Sequence, residues 1–503
     1  MSTTTVTLTS VTSVQPKESN GISTEPTPLP QPAAPSSRLK QIIAVSQLVA
    51  GTLTASVING LVIVGLPSIT KDLQLPPSLS FWPSSVSSLA TASTLLLAGS
   101  LADTVGPRWV ELVGSFASGA LMIGQGVVRT GQELVVLRAL QGIGLAMHLA
   151  SSVSIVTQLL PPGRGRNIAF SCMGLSQPLG FSLGLVIGGY ISGGITLFFA
   201  AVGVWAVPVG KATRYSEILY NLRTKVDWVG AGLASAFMAL LCYLLAIVSA
   251  NPPRIKSAQS IVILCHAAAA LPAFVAWVHR QAKRNKPALV PNSIWRSSAF
   301  AASCTTIAIA NAVVNGMELF ASLFFQEIQH LSALGASIRI LPGLIAGAIL
   351  NLLIGIFVHR IPAVWIVTST SLIAFIAPLL MAVIQPSWPY WGNAFIAQLL
   401  QPTAFNALYT VGLIIITNSF ADDTQALAGA VFNTAAQFGT ALGLAVLQVI
   451  DTVVAEHTEG AEATAKMKGY RASFWTMFGI MVLCGAVGFL GLRRAGKVGL
   501  RRD

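Results

Sequence analysis

Residues 99–108 read GSLADTVGPR, and this stretch does most to decide the fold. It forms a short polar link between two apolar runs, at about residues 79–101 and 108–128. Its two glycines allow the backbone to turn sharply and two helices to approach closely. Asp103 stands where it can cap the following helix or pair with a cation. The stretch therefore predicts a tight loop between two long apolar helices.

Apolar runs of this kind recur along most of the chain. Of its 503 residues, 53% are hydrophobic and 9% are charged, and the mean hydropathy is +0.71. A soluble domain averages about 25% charged residues, so this composition excludes a soluble enzyme. A spanning helix needs about 20 apolar residues, and in lipid only helices and closed barrels satisfy the backbone. We therefore predict an all-α polytopic membrane protein with fourteen transmembrane helices, at about residues 41–67, 79–101, 108–128, 134–157, 168–192, 194–211, 227–249, 258–279, 299–326, 334–357, 363–385, 391–418, 424–450 and 473–492.

The distribution of charge supports this arrangement. The formal net charge is +13, and cytoplasmic loops of membrane proteins collect Lys and Arg. With fourteen spans and a cytoplasmic amino terminus, most of the 30 Lys and Arg residues fall on the inner side. The excess of positive charge is therefore explained by membrane topology, with both termini cytoplasmic, and does not indicate nucleic-acid binding. Residues 1–40 are rich in Ser, Thr and Pro and predict a disordered tail, while residues 493–503 form a basic tail.

The sequence lacks the signatures of a cofactor, a metal site or an active site. Its five cysteines all lie in apolar runs, without a CxxC pair. It contains no GxxxxGK[ST] loop for ATP and no credible catalytic triad. We therefore predict no cofactor, no metal and no catalytic residue, and we expect that any work is driven by an ion gradient.

The fourth and fifth runs contain unusual residues. Arg138 and His148 lie in the fourth run, and an arginine within a span costs about 2.5–3.5 kcal/mol, so it usually faces a cavity or a partner. The alternatives are that Arg138 snorkels to the outer interface and that His148 only packs between helices. In the fifth run, glycines at four-residue spacing predict a smooth face for close packing. The residues of that motif are Gly174, Pro178, Gly180, Gly184, Gly188 and Gly189.

These segments resemble those of the major facilitator superfamily. The 99–108 loop is similar to its signature G-x-x-x-D-[RK]-x-G-[RK]-[RK], with Thr104 and Pro107 in place of two basic residues. The fifth run is similar to the antiporter motif of its drug exporters, with Gly189 in place of a proline.

The resemblance is greatest to the drug:proton antiporters with fourteen spans, and among them to the fungal aminotriazole-resistance-like transporters. It covers about residues 41–492 and includes the segments DWVG at 227–230, LP at 341–342 and LAGAVFNT at 427–434. It implies two six-helix bundles plus an inserted helix pair. The expected divisions are a disordered cytoplasmic tail (1–40), the amino-terminal bundle (41–211), the inserted pair (227–279), the carboxy-terminal bundle (299–492) and a basic cytoplasmic tail (493–503).

The resemblance also implies roles for particular residues. Arg138 corresponds to an arginine linked to proton coupling in the superfamily, and His148 is a further candidate that can titrate. The loop between the second and third spans would act as an inner gate. Its candidate gating residues are Gly99, Asp103, Gly106 and Arg108.

Glu318 is the only carboxylate that the sequence places well inside a span, which makes it a candidate proton carrier. The alternative is a gating or packing contact near the outer mouth. Uncharged polar residues predict a cavity suited to a neutral or amphipathic solute, although each is equally compatible with a helix–helix hydrogen bond. These cavity candidates are Asn59, Gln141, Gln177, Asn311, Asn315, Gln401, Asn406 and Asn433.

The sequence thus predicts a monomeric transporter that exports small organic molecules, such as drugs, toxins or secondary metabolites, in exchange for protons. Its partners would be the small-molecule substrate, protons and the lipid bilayer. The alternative is an importer or facilitator of a small nutrient or cation such as ammonium. A membrane receptor would be expected to carry a large folded tail for signalling, and the sequence of neither tail predicts a folded domain. We expect the plasma membrane as the location, with the vacuole second.

Overall fold

The described part of the chain is helical throughout. The computed structural model describes residues 37–76, 82–161, 164–184, 189–207, 215–224, 226–284, 286, 288–290, 292–357, 361–420 and 422–493, and no β-strand occurs in these ranges. The predicted tails lie almost wholly outside the described residues, and so does Gly188 of the glycine motif.

The helices divide along the chain into an early group, a middle group and a late group. The early group comprises α1 (Arg38–Asp72), α2 (Trp82–Val105), α3 (Pro107–Gln125), α4 (Gly131–Leu159), α5 (Arg164–Gly184) and α6 (Gly189–Ala206). The middle group comprises α7 (Tyr215–Thr224), α8 (Trp228–Ala250) and α9 (Ala258–Lys283). The late group comprises α10 (Ser298–Leu323), α11 (Ala333–Phe357), α12 (Ala363–Ala374), α13 (Ile376–Val383), α14 (Asn393–Leu400), α15 (Thr403–Ser419), α16 (Asp422–Glu456) and α17 (Glu462–Leu492).

Within the described ranges, eleven helices or end-to-end helix pairs are long and apolar enough to cross a membrane. They are α1, α2, α4, α8, α9, α10, α11, α12 with α13, α14 with α15, α16 and α17. The prediction of fourteen spans is therefore not confirmed. The three remaining runs are α3, which begins with charged residues, α5, which is rich in Gly and Ser, and α6, whose apolar part Ser192–Ala206 is short.

Local chemistry sets several helix ends. α4 begins with a capping box, because Thr130 Oγ1 accepts from the Glu133 backbone N–H at 3.3 Å and the Glu133 carboxylate accepts from the Thr130 N–H at 3.3 Å. Asp227 caps the start of α8, because its Oδ1 accepts from the Gly230 N–H at 2.8 Å. Pro402 separates α14 from α15, since proline has no N–H to continue the helical ladder.

The early helices pack mainly on one another, and so do the late helices. The closest early pairs are α2 with α4, α3 with α4, and α1 with α5, and the closest late pairs are α10 with α16 and α10 with α17. The two groups meet where α2 contacts α16, α5 contacts α11 and α1 contacts α10. The middle helices α8 and α9 pack against each other, and α8 also lies against α2 and α16.

Glycines of the predicted motif hold α5 directly against α1. A Cβ atom at Gly180 would overlap the carbonyl oxygen of Leu53, and one at Gly184 would overlap that of Val57. The same device recurs in the late group, where a Cβ at Gly439 of α16 would overlap the backbone of Ala308 in α10. These close approaches bring polar groups on α1 and α10 to the boundary between the groups.

Candidate functional site

A cavity of about 110 Å³ lies where the early and late helices meet. Its wall combines side chains of α1, α2, α4 and α5 with side chains of α10, α11, α15 and α16. Amides, hydroxyls and apolar groups make up most of this wall, and Glu318 is its one carboxylate among the described residues. The cavity is therefore a polar, nearly uncharged space shared by both groups of helices.

The predicted cavity residues divide into two sets. Those on the cavity wall are Asn59, Gln177, Asn311, Asn315 and Asn406. The other three lie off the wall and bind neighbouring groups, because Gln401 donates to Val314 O at 3.3 Å, Asn433 donates to Gly429 O at 3.0 Å, and Gln141 accepts from Gln125 at 3.1 Å. The alternative of a helix–helix hydrogen bond therefore describes Gln401 and Gln141, whereas Asn433 bonds a carbonyl of its own helix.

Glu318 reaches the cavity from α10 and is 7% exposed. Within the described part of the chain, its carboxylate has neither a hydrogen-bond donor nor an ion-pair partner. A buried carboxylate without a partner is stable only if it is protonated or hydrated, because burying an isolated charge is very costly. The geometry thus supplies a group that can gain and lose a proton at the cavity wall.

Arg138 is buried deep in α4, at 1% exposure, and does not snorkel to an interface. Its Nε donates to Pro83 O at 3.1 Å, its Nη1 to Gln141 Oε1 at 3.3 Å and its Nη2 to Asn59 Oδ1 at 3.1 Å. Asn59 itself lines the cavity. The guanidinium therefore joins α4 to α2 and to the cavity-facing side of α1 through neutral acceptors.

An ionisable pair, formed by Glu111 of α3 and His148 of α4, lies beside the cavity. Both residues are buried, with 0% and 2% exposure, and His148 Nδ1 is 2.8 Å from Glu111 Oε1. Glu111 is therefore a second buried carboxylate near the cavity, in addition to Glu318. Glu111 lies in the first turns of α3, a position at which the sequence alone does not indicate burial.

The spacing of small residues is the signal that could have found this pair. Glycines at 114 and 144 lie where α3 and α4 touch, since a Cβ at Gly114 would be 2.8 Å from Gly144 O. Glu111 precedes the first of these glycines by one helical turn, and His148 follows the second by one turn. In antiparallel neighbouring helices these two turns lie side by side.

The loop at 99–108 is built as a sharp turn. Gly106 has φ +106°, a conformation that other residues rarely adopt, and Pro107 then opens α3. Arg108 donates to the backbone carbonyls of Val204 and Val207 at the end of α6.

Two further residues of this loop complete the predicted gate. Asp103 is exposed, and α3 begins without a side-chain cap, so the suggestion that Asp103 caps the following helix is wrong. Gly99 faces α16 in the late group, because a Cβ atom at Gly99 would lie 3.7 Å from the methyl group of Ala430. Both residues belong to the last turns of α2, so only Gly106 separates α2 from α3, and the end of α2 contacts the late group of helices.

The sequence pattern of the Major Facilitator Superfamily matches residues 48–443, a range that includes every residue on the cavity wall. The chain belongs to the major facilitator superfamily. It is therefore a multi-pass membrane transporter and not an enzyme.

Curated relatives in this superfamily come from fungi and bacteria. The chain is 34% identical to MFS-type transporter 1 of Pyricularia oryzae, over 92% of this chain and 85% of that protein. It is 26% identical to the Methylenomycin A resistance protein of Bacillus subtilis, over 85% of this chain and 90% of that protein. It is 23% identical to the Low affinity ammonium transporter of Saccharomyces cerevisiae, over 79% of this chain and 78% of that protein.

Solved structures share the fold. A bacterial homologue of the human lysosomal transporter Spinster, in an inward-facing and unoccupied conformation, matches with a TM-score of 0.58 at 16% identity, over 91% of this chain and 98% of that chain. Identity at this level supports the superfamily fold and nothing finer.

Proposed function

We propose that this transporter exports small organic molecules in exchange for protons. The observation that carries the proposal is the position of Glu318, an unpaired carboxylate on a cavity that is otherwise lined by uncharged side chains from both groups of helices. A group that is alternately protonated and ionised at the cavity wall can exchange a proton for a neutral or amphipathic solute.

The proposed mechanism is alternating access around this cavity. Substrate sites in such transporters lie between repeated halves that rock against each other. Here the halves would be residues 41–211 and 299–492, with 227–279 as the inserted pair. One charge crossing 100 mV supplies about 2.3 kcal/mol, which sustains a gradient of roughly 50-fold in a neutral solute.

The cavity must widen to accept a drug-sized molecule. Sites for such ligands measure about 300–1,000 Å³, whereas this cavity measures about 110 Å³. We infer that the described conformation is contracted, with contacts between the halves at both ends. At one end Gln326 Nε2 of the helical turn after α10 donates to Val64 O of α1 at 2.9 Å, and at the other Gly99 lies against Ala430.

Further parts of the proposal follow from the sequence motifs and the relatives. We propose that the chain is one of the drug:proton antiporters, and the relative named as a resistance protein supports export. We propose that Arg138 and His148 take part in proton coupling, and that the 99–108 loop gates the cytoplasmic side. We further propose that the protein is a monomer with both termini in the cytoplasm. We propose the plasma membrane as its location, with the vacuolar membrane as the second choice.

A second function, uptake or facilitated passage of a small cation such as ammonium, is favoured by one observation. The cavity holds about three to four molecules the size of water, given about 30 Å³ for each, and it contains one free carboxylate. A small cation fits this space without rearrangement. A relative named as a low affinity ammonium transporter supports this alternative.

The test is solute-linked proton movement in vesicles reconstituted with purified protein. A pH gradient is imposed, and internal pH and solute content are followed for fungal metabolites, azole-type drugs and ammonium. We expect proton movement that requires an organic solute and falls at least about tenfold in Glu318→Gln. Entry of ammonium without proton countermovement would replace the export proposal with the second function.

The matched control is Glu327→Gln. Glu327 lies one turn beyond the end of α10, away from the cavity wall, where its carboxylate binds Lys466 at 2.9 Å and Tyr470 at 3.0 Å. We expect this variant to keep the coupled flux. Equal loss in both variants would mean that removing any carboxylate from this region disrupts the fold, and would remove the support for Glu318 as the carrier.

A further inference from the structure

The Glu111 carboxylate receives hydrogen bonds from three helices. Its Oε1 is 2.9 Å from Gln47 Nε2 of α1 and 2.8 Å from Ser115 Oγ of its own helix, and its Oε2 is 2.8 Å from Ser151 Oγ of α4. With His148 Nδ1, four potential donors surround the two oxygens. An ionised carboxylate offers about four acceptor sites and no donor, so an environment of several donors favours the anion.

His148 links this carboxylate to the cavity. Its Nδ1 faces Glu111, and its Nε2 is 3.0 Å from Thr52 Oγ1. Thr52 lines the cavity on α1, and its hydroxyl can donate to Leu48 O at 3.2 Å, which leaves its oxygen free to accept from Nε2. A continuous chain of hydrogen-bonding groups therefore runs from the cavity through Thr52 and His148 to Glu111.

Among the described residues, the polar groups that contact Glu111 and His148 are all uncharged. The groups in contact from α1 are Gln47 and Thr52, and the other contacting polar groups on α3 and α4 are serines. No further ion pair to either residue occurs in the described part of the chain. With one proton on the imidazole beyond its neutral form, the pair is an ionised carboxylate beside an imidazolium and is neutral overall. Without that proton it leaves a buried, uncompensated negative charge.

We propose that Glu111 and His148 form a proton-binding site that exchanges its proton with the cavity through Thr52. The site lies in the amino-terminal half, whereas Glu318 reaches the same cavity from the carboxy-terminal half. The step is a proton transfer alone: on release His148 Nε2 passes its proton to Thr52 Oγ1 while the Thr52 hydroxyl proton passes to a water molecule in the cavity, and uptake is the reverse. Nδ1–H stays bonded to Glu111 throughout. Release leaves a net negative charge, so it requires a conformation in which the site is hydrated.

This charge balance makes the pair suited to coupling. A buried charge is costly unless it is paired, so release of the proton is tied to the change of shape that brings water to the site. The role in transport rests on the proposed exchange of protons for solute. Proton binding by the pair does not rest on it, and it can be measured without a substrate.

The first experiment measures proton binding directly. The purified protein is labelled with ¹⁵N-histidine and placed in lipid nanodiscs, and the His148 resonances are assigned by their loss in His148→Gln. We expect the imidazole to gain or lose its extra proton as the pH of the sample is varied between about 5 and 8. An imidazole that keeps one protonation state over this whole range would make the pair a static link between helices and would overturn the inference.

The second experiment breaks the connection to the cavity and leaves the pair in place. Thr52→Val removes the hydroxyl at nearly constant volume, and we expect at least a tenfold loss of solute-linked proton movement in reconstituted vesicles. Thr52→Ser restores a hydroxyl and should rescue the flux. Thr54→Val is the matched control, because Thr54 is equally buried on α1 but its hydroxyl bonds only Ala50 O and Gly51 O of its own helix. Wild-type flux in Thr52→Val would overturn the route through Thr52.

The double variant Glu111→Gln with His148→Gln separates the two proposals. It removes both charges together, so neither is left unpaired, and such replacements are tolerated better than removal of one partner. We expect downhill solute movement to persist and its coupling to protons to fall at least tenfold. Wild-type coupling in this variant would overturn the inference and leave the proposed function standing. Absence of solute-linked proton movement in the wild type would instead overturn the proposed function, and the histidine titration would still decide the proton site.

Discussion

Arg138 donates a hydrogen bond from Nη2 to Oδ1 of Asn59 over 3.1 Å, and this bond ties the buried guanidinium to the cavity wall. The guanidinium has no carboxylate partner among the described ion pairs, so its charge is stabilised by neutral acceptors alone. A change in the cavity that moves Asn59 therefore alters the environment of the buried charge.

We expect Asn59→Leu to destabilise the protein by about 1.5–3 kcal/mol, the usual contribution of a hydrogen bond to a charged group. Nη2 of Arg138 would lose its acceptor, while the bonds to Pro83 and Gln141 would remain. Thermal unfolding in nanodiscs measures the effect. Asn251→Leu is the control, because Asn251 is exposed at the end of α8. Equal stability of the two variants would contradict the importance given to this bond.

Gly184→Ala should separate α1 from α5. A Cβ at this position would overlap Val57 O, which belongs to a helical backbone and cannot rotate away. Overpacking of this kind costs about 1–3 kcal/mol, so we expect a lower melting temperature and a lower yield of folded protein. Gly194→Ala on α6, where a Cβ would meet no atom within 4 Å, should not lower the melting temperature. Wild-type stability of Gly184→Ala would show that the two helices can move apart freely.

Gly106→Ala tests the sharp turn before α3. The space around Gly106 is open, so its only penalty is the backbone conformation at φ +106°. Residues held in such regions cost about 1–3 kcal/mol, and we expect a loss of stability in this range. Gly165→Ala adds the same methyl in open space without a positive φ and should leave the melting temperature unchanged. A stable Gly106→Ala protein would indicate that the loop adopts another turn.

Gln326→Leu should favour opening of the end of the cavity at which α1 and α10 touch. It removes the bond from Gln326 to Val64 O, and a neutral hydrogen bond contributes about 1 kcal/mol, or roughly fivefold in the equilibrium. The measurement is the labelling rate of Asn315→Cys at the cavity wall, in a protein without its native cysteines, by a thiol reagent that cannot cross the membrane.

Gln329→Leu provides the control for this prediction. Gln329 Nε2 donates to Pro386 O at 3.1 Å, so its bond joins two segments of the same half. We expect faster labelling only in the Gln326 variant. An unchanged rate in that variant would mean that the bond to Val64 does not help to close the cavity.

Much of the fold could be predicted because apolar runs act locally. Every run proposed from the sequence contains a helix of the structure, including those that are broken within, at Pro402 and before Pro378. The number that cross the membrane could not be fixed in the same way. α3 packs against α4, and α6 packs against α1. Hydropathy alone does not measure such packing.

The candidate site was only partly predictable. Asn311 and Asn315 reach the cavity, yet Gln401 and Asn433, polar residues of the same kind in similar runs, bind backbone carbonyls away from it. Residue type determines that a polar group in an apolar helix needs a partner. The rotation of the helix determines whether the polar group faces the cavity or lies away from it, and rotation depends on long-range packing.

The class of the protein follows from local features of the amino-acid sequence, because the partitioning of long apolar runs into lipid and the turn chemistry of GSLADTVGPR depend on residues close together in the chain. Which polar groups meet depends instead on tertiary packing. Glu111 and His148 are 37 positions apart, and Gln47 and Thr52 approach them from a third helix. Their contact arises because glycines let α3 and α4 touch, which fixes the register of one helix against the other.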